Sequence, residues 1–127
     1  MNLKTISVDN APKAIGPYAQ GIVAGGFLFT AGQVGLDPAT MKLVEGDIAA
    51  QTRRVFDNLE AVLAGAGATL ADVVRAGVFL VDMADFAKMN EAFTARFGSH
   101  RPARTTVAVA ALPAGARVEI DLVVRVG

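Results

Sequence analysis

The chain has 127 residues, 12 of them basic and 12 acidic, with 53% hydrophobic residues, 19% charged residues and no cysteine. Zero net charge supplies no basic field to concentrate nucleic acid or an anionic membrane. The lack of cysteine removes disulfides, thiolate metal sites and cysteine nucleophiles together.

The apolar surplus is more than one small domain readily hides, so a homo-oligomer is expected. The opening "MNLKTISVDNAPKAIGPYAQG" lacks the apolar core of a signal peptide. No apolar run approaches the roughly 20 residues needed to span a bilayer. A cytoplasmic chain with no membrane partner is expected. No repeat or linker interrupts it, which predicts a single domain over residues 1–127.

In chain order, "LKTISV" (3–8) has the β-branched alternation of a first strand. Pro12, Gly16 and Pro17 punctuate the next stretch as a loop. "GIVAGGFLFTAG" predicts a hairpin turning at Gly25-Gly26, and Pro38 marks another turn. Ile48, Val55, Leu59 and Val62 set out one face of a helix, with Asp47 to cap its start and Gly65 or Gly67 to end it. "ADVVRAGVFLVD" returns to strand composition. A second helix places Phe86, Met89, Phe93 and Phe97 on one apolar face, with Asp82 as N-cap and Gly98 at its end. "RTTVAVA" and "RVEIDLVVRV" are the last strands, joined around Pro113 and Gly115. The order β-β-β-α-β-α-β-β suits an α+β fold, one sheet with two helices against one face.

Few residues carry chemistry. His100 is the only histidine and falls in a loop, so a Ser-His-Asp triad has no supporting pattern and a surface position is expected. No group of His, Cys or close carboxylates offers a metal site. "AGAGATLAD" lacks the third glycine and the preceding strand of a dinucleotide fingerprint and reads as a helix end.

What stands out is charge set among apolar strand residues. Arg104 opens one strand, while Glu119 lies between Val118 and Ile120 and shares a strand face with Asp121. Arg104 and Glu119 either pair with each other or are solvated, or Arg104 faces something outside its own strands. If the last two strands form a hairpin about Pro113–Ala114, Arg104 lies opposite residue 123, and Glu119 is then about 13 Å away. In that geometry the arginine needs an acidic partner from another subunit or a ligand, and its planar fork suits a small carboxylate. Tyr18, the one tyrosine, is either a hydrogen-bonding group over a ligand or an amphipathic plug.

The stretches "NAPKAIGPYAQG", "FTAGQVG", "RVFDNLEAVLAGAGATLADVV", "PARTTV" and "ALPAGARVEIDLV", in that order, resemble the Rid (YjgF) family of reactive-intermediate deaminases from about residue 4 to residue 126. The resemblance implies a chorismate-mutase-like α+β fold and a homotrimer with a central barrel, helices outside and ligand clefts between subunits. It implies hydrolysis of 2-imino acids such as 2-iminobutanoate and 2-iminopropanoate, and of their enamine tautomers, to 2-oxo acids and ammonia, with no cofactor or metal.

By position, Arg104 matches the arginine that binds the substrate carboxylate, Glu119 the acid proposed to position or activate water, and Tyr18 the site tyrosine. Thr106 stands where the family often has Cys, a position whose backbone contacts the ligand. Asn90 lies in the helix that contributes an amide in some members. Ala31 departs from the pattern, standing where many members carry Ser. The lost hydroxyl implies weaker turnover or altered preference, up to about tenfold, and opens a little room for a bulkier substrate. Thr30, its neighbour, points to the other strand face. An alternative role is a module that binds small carboxylates such as 2-oxo acids, or protects proteins, without turnover. The ribonuclease role of some relatives is disfavoured by zero charge, a lone loop histidine and no aromatic stacking strand.

Overall fold

The computed structural model describes residues 2–127. Its longest element is α1 (Ile48–Gly65), and the sequence marks both ends. The Asp47 carboxylate accepts the Ala50 N–H, satisfying one of the donors a helix start leaves bare. That bond also holds the Asp47 carboxyl below its ordinary pKa. At the other end the Ala68 N–H reaches the Leu63 carbonyl and the Gly67 N–H the Ala64 carbonyl. This pairing needs a left-handed residue between, and Gly67 supplies it at φ 73°. Ile48, Val55, Leu59 and Val62 are all buried.

The first strands are β1 (Lys4–Ile6), β2 (Gly21–Ala24) and β3 (Phe27–Thr30). Gly25 and Gly26, at φ 59° and 83°, make the turn between β2 and β3, both in the left-handed region that a two-residue hairpin favours. A small separate hairpin, β4 (Leu36–Asp37) with β5 (Lys42–Leu43), surrounds Pro38. Two-residue strands are too short to show alternation, so only their turn is legible in the sequence.

After α1 come β6 (Val73–Leu80), α2 (Phe86–Phe97), β7 (Ala103–Ala108) and β8 (Val118–Arg125). Asp82 does not cap α2: its carboxylate accepts the Ala84 N–H and starts a short 3-10 turn, Met83–Asp85, from which α2 continues. Gly98 ends α2 as expected, at φ 65°.

The main sheet has the order β1-β2-β3-β8-β6-β7, and only β6 and β7 run parallel. The last two strands are therefore not a hairpin. α2 carries the chain over the sheet from β6, so β7 adds in parallel at β6's outer edge, and β8 pairs antiparallel on β6's inner edge. The sheet is mixed and open, with β1 and β7 as edges, so one chain does not close a barrel.

Both helices cover one face. Along β8, Val118, Ile120, Leu122 and Val124 are buried while Glu119, Asp121 and Val123 are partly exposed on the other side. Met89, Phe93 and Phe97 of α2 are buried, with Phe86 packed at their margin. Phe93 and Phe97 both meet Phe56 of α1 edge-on at 5.5 Å between centroids. The opposite face leaves Phe29 48% and Val107 40% exposed, an apolar surface that water does not favour.

Candidate functional site

Register decides which residues share a face. Arg104 pairs with Ala76, and Ala76 with Leu122, so the arginine projects on the helix-covered side of the sheet. Its guanidinium lies over Phe93 at 4.8 Å and Phe86 at 5.6 Å from the ring centroids. Aromatic faces attract a cation but accept none of its hydrogen bonds. Among the described residues Arg104 has no carboxylate partner. Burial lowers its pKa from the ordinary arginine value, the mark of a cation partly stripped of water.

Asn90 of α2 lies beside it, lining with Arg104 a cavity of about 290 Å³. Thr106 is two residues further along the same face of β7, paired with Val78. Asn90 Oδ1 and Thr106 Oγ1 are both buried without a hydrogen-bond partner. Buried polar atoms are almost always satisfied, so two orphans on the same face as an unpartnered arginine are unusual. β7 is also a sheet edge, whose outer row of N–H and C=O groups meets no strand among the described residues.

Glu119 pairs with Phe79, which pairs with Val107, and so belongs to the other face. Arg104 and Glu119 stand on opposite sides of one sheet and do not pair. The reason is facial alternation across three strands rather than an offset along a hairpin. Glu119 lines a second cavity, of about 540 Å³, together with Tyr18 and Ala31. Burial, and then the neighbouring Asp121 carboxylate, raise its pKa. The Tyr18 phenol accepts the Ile15 N–H at 3.1 Å, a bond that holds the ring against its own loop. The Thr30 hydroxyl oxygen accepts the Leu122 N–H, which leaves Ala31 as the residue of that pair lining the cavity.

Three contributors are silent in the sequence. Gly32 lets the Glu119 carboxyl lie against the backbone: a Cβ there would stand 2.7 Å from Glu119 Cδ. Asn58, wholly buried in α1, donates to the carbonyls of Val34 and Leu36 and so anchors a wall of the second cavity. The Gln51 amide oxygen accepts the Arg117 N–H just before β8. His100, expected on the surface, is partly buried and bonds the Val73 carbonyl at 2.7 Å through Nε2, a tie from the loop to β6. Among the described residues no group of His, Cys, Asp and Glu is arranged to hold a metal, and no helix is long and apolar enough to cross a membrane.

The structure thus gathers the six sequence-predicted residues into two groups: Arg104, Asn90 and Thr106 on one face, and Tyr18, Ala31 and Glu119 on the other.

Comparison with known proteins gives the family. A family model described as "Endoribonuclease L-PSP" matches residues 8–126. The chain is 51% identical to Protein DfrA of Myxococcus xanthus over 97% of this chain and 95% of that one. It is 42% identical to the 2-iminobutanoate/2-iminopropanoate deaminase of Escherichia coli, over 94% and 95%. Among solved structures, E. coli TdcF with bound serine superposes at a TM-score of 0.90, with 35% identity over 98% of this chain and 99% of that one. With the match running through every strand and helix of the domain but β1, the chain belongs to the YjgF/RutC family of Rid proteins.

Proposed function

We propose that the chain hydrolyses 2-imino acids, 2-iminobutanoate and 2-iminopropanoate among them, and their enamine tautomers, to 2-oxo acids and ammonia. The site is a cleft completed by a second copy of the chain. The observation that carries this reading is the division of the site residues between the two faces of one sheet. A single chain does not bring Arg104 to Glu119, whereas one copy's Arg104 side can meet another copy's Glu119 side. The exposed apolar face with Phe29 and Val107, and the unpaired edge of β7, favour such association. A homotrimer whose sheets face one another around a central barrel is the arrangement proposed. The E. coli relative named for this activity supports the substrate class, and TdcF with bound serine supports a small ligand bearing a carboxylate.

In this reading Arg104 grips the substrate carboxylate with two parallel hydrogen bonds, and the Asn90 amide and the β7 edge about Thr106 take up the remaining polar atoms. The imine carbon then lies at Glu119 with water beside it. The Glu119 carboxylate accepts a proton as the water oxygen bonds to the carbon, and the C=N pair moves onto nitrogen. The proton passes on to that nitrogen, the C–N bond breaks, and the hydroxyl of the intermediate loses its proton as the ketone forms. One water is consumed and one ammonia leaves. Iminium carbon is already electrophilic, so holding substrate and water together supplies much of the acceleration. Tyr18 closes the cleft beside Glu119, and no cofactor or metal is called for.

The test is ammonia release from 2-iminobutanoate and 2-iminopropanoate generated in situ by an amino-acid oxidase, set against the spontaneous rate. Truncating one partner of a desolvated charge pair typically costs about 2–5 kcal/mol, so Arg104→Ala is expected to lower kcat/KM by about 30-fold or more. Arg104→Lys keeps the charge but not the fork and should fall between. Wild-type rates in Arg104→Ala overturn the assignment. No acceleration by the wild type, with 2-oxo acids still bound, would make the chain a carboxylate-binding module instead.

A further inference from the structure

We infer, resting on the deaminase activity proposed above, that this chain prefers 2-imino acids with long apolar side chains over the smallest ones. The cavity beside Glu119 has two kinds of wall. Glu119, Tyr18 and the backbone at Ala31 and Gly32 form the reacting end. Ile15, Val34, Leu36 and Pro113 form the other lining, and it is apolar.

That lining is built rather than incidental. Val34 and Leu36 are buried in a small apolar cluster of their own, with Ala116, Met41, Leu43 and Leu112 around them. Asn58 fixes both of their carbonyls from beneath. Ile15, 68% exposed on the single chain, lines the cavity, and the Tyr18 phenol holds its backbone in place.

Size points the same way. The cavity on one chain measures about 540 Å³ before a second copy closes over it. The methyl group of 2-iminopropanoate fills little of such a space, whereas a branched or aromatic side chain covers the apolar wall. Ala31, with no hydroxyl, adds room and removes a polar group from the reacting end. An acidic side chain would bring a further carboxylate beside Glu119, in a cavity whose lining offers it the exposed Lys13 as a cation.

The experiment is a series of imino acids generated by amino-acid oxidases from alanine, 2-aminobutyrate, norvaline, leucine, phenylalanine and aspartate. For each, kcat/KM is divided by the spontaneous hydrolysis rate. Burying one methylene is worth about fourfold, so the ratio should climb by about that factor per carbon from alanine to norvaline. It should stay high for leucine and fall for aspartate. Ile15→Asn alters an exposed side chain and should lower the leucine-to-alanine preference at least about fivefold. A flat series, or one highest for alanine or aspartate, overturns the preference while leaving the deaminase standing. A preference unmoved by Ile15→Asn overturns the wall as its cause. No acceleration with any member refutes the deaminase reading itself, and the preference with it.

Discussion

Gly32→Ala separates catalysis from folding more cleanly than any change to a charged residue. The new Cβ would stand 2.7 Å from Glu119 Cδ, 2.8 Å from Oε2 and 3.0 Å from Cγ, where ordinary contact begins at 3.4 Å. To reach ordinary contact the carboxyl must retreat by about 0.7 Å, and it is free to do so because it ends a flexible side chain. Gly32 does not have a positive φ, so alanine fits the backbone, and loss of unfolded-chain freedom contributes about 0.4–1 kcal/mol of stability. A Glu119 side chain pushed off its rotamer costs about 0.5–1.5 kcal/mol in return. Net stability should therefore stay within about 1 kcal/mol of the parent. The reaction, by contrast, depends on where the carboxylate meets water, and a misplacement of about 1 Å can cost about 100-fold. Steady-state ammonia release should show kcat reduced about 30- to 100-fold. KM for the imino acid and the melting temperature should change little. A variant turning over within twofold of the parent would refute the claim that Glu119 acts from its position against Gly32.

Burial raises the Glu119 pKa, so between the ordinary carboxyl value of 4.5 and that raised value the folded chain binds more protons than the unfolded one. The stability tied to the neutral form is whole below pH 4.5 and is lost as pH rises through the folded pKa. Glu119→Gln should consequently melt higher than the parent at pH 7, with the gap closing at pH 4, while hydrolysis falls. A lower melting temperature at pH 7 contradicts the sign. For the parent, the acid limb of kcat/KM should lie above pH 4.5, the ordinary value, and a limb at or below it would remove Glu119 as the titrating base. Asn58→Ala strands the Val34 and Leu36 carbonyls and should cost about 2 kcal/mol, or about 5–10 °C by calorimetry. An unchanged melting temperature would show that water replaces the amide.

The residues of the site were legible largely because the family resemblance named their positions, and the residues themselves offered only partial clues. Arg104 and Glu119 stand out as charges among apolar strand residues, and a lone tyrosine draws notice. Gly32 and Asn58 give no such signal: a glycine after a strand and an asparagine in a helix are ordinary, and their work lies in what they touch across about 87 and 22 residues of chain. The Pro113–Gly115 connection likewise suggests a hairpin, because sequence shows where strands occur but not which strands become neighbours.

Periodicity and end signals are local, and so the amino-acid order alone determined both helices, the Asp47 cap, an ending of α1 at Gly65 or Gly67 and of α2 at Gly98, the Gly25-Gly26 turn and the six strands of the main sheet. Only the tertiary structure decided that α2 carries β7 to the far side of β6. That choice depends on which apolar faces close together, a sum over contacts distant in the chain. It is also what sets Arg104 on one face and Glu119 on the other, since facial alternation is counted across paired strands and not along one.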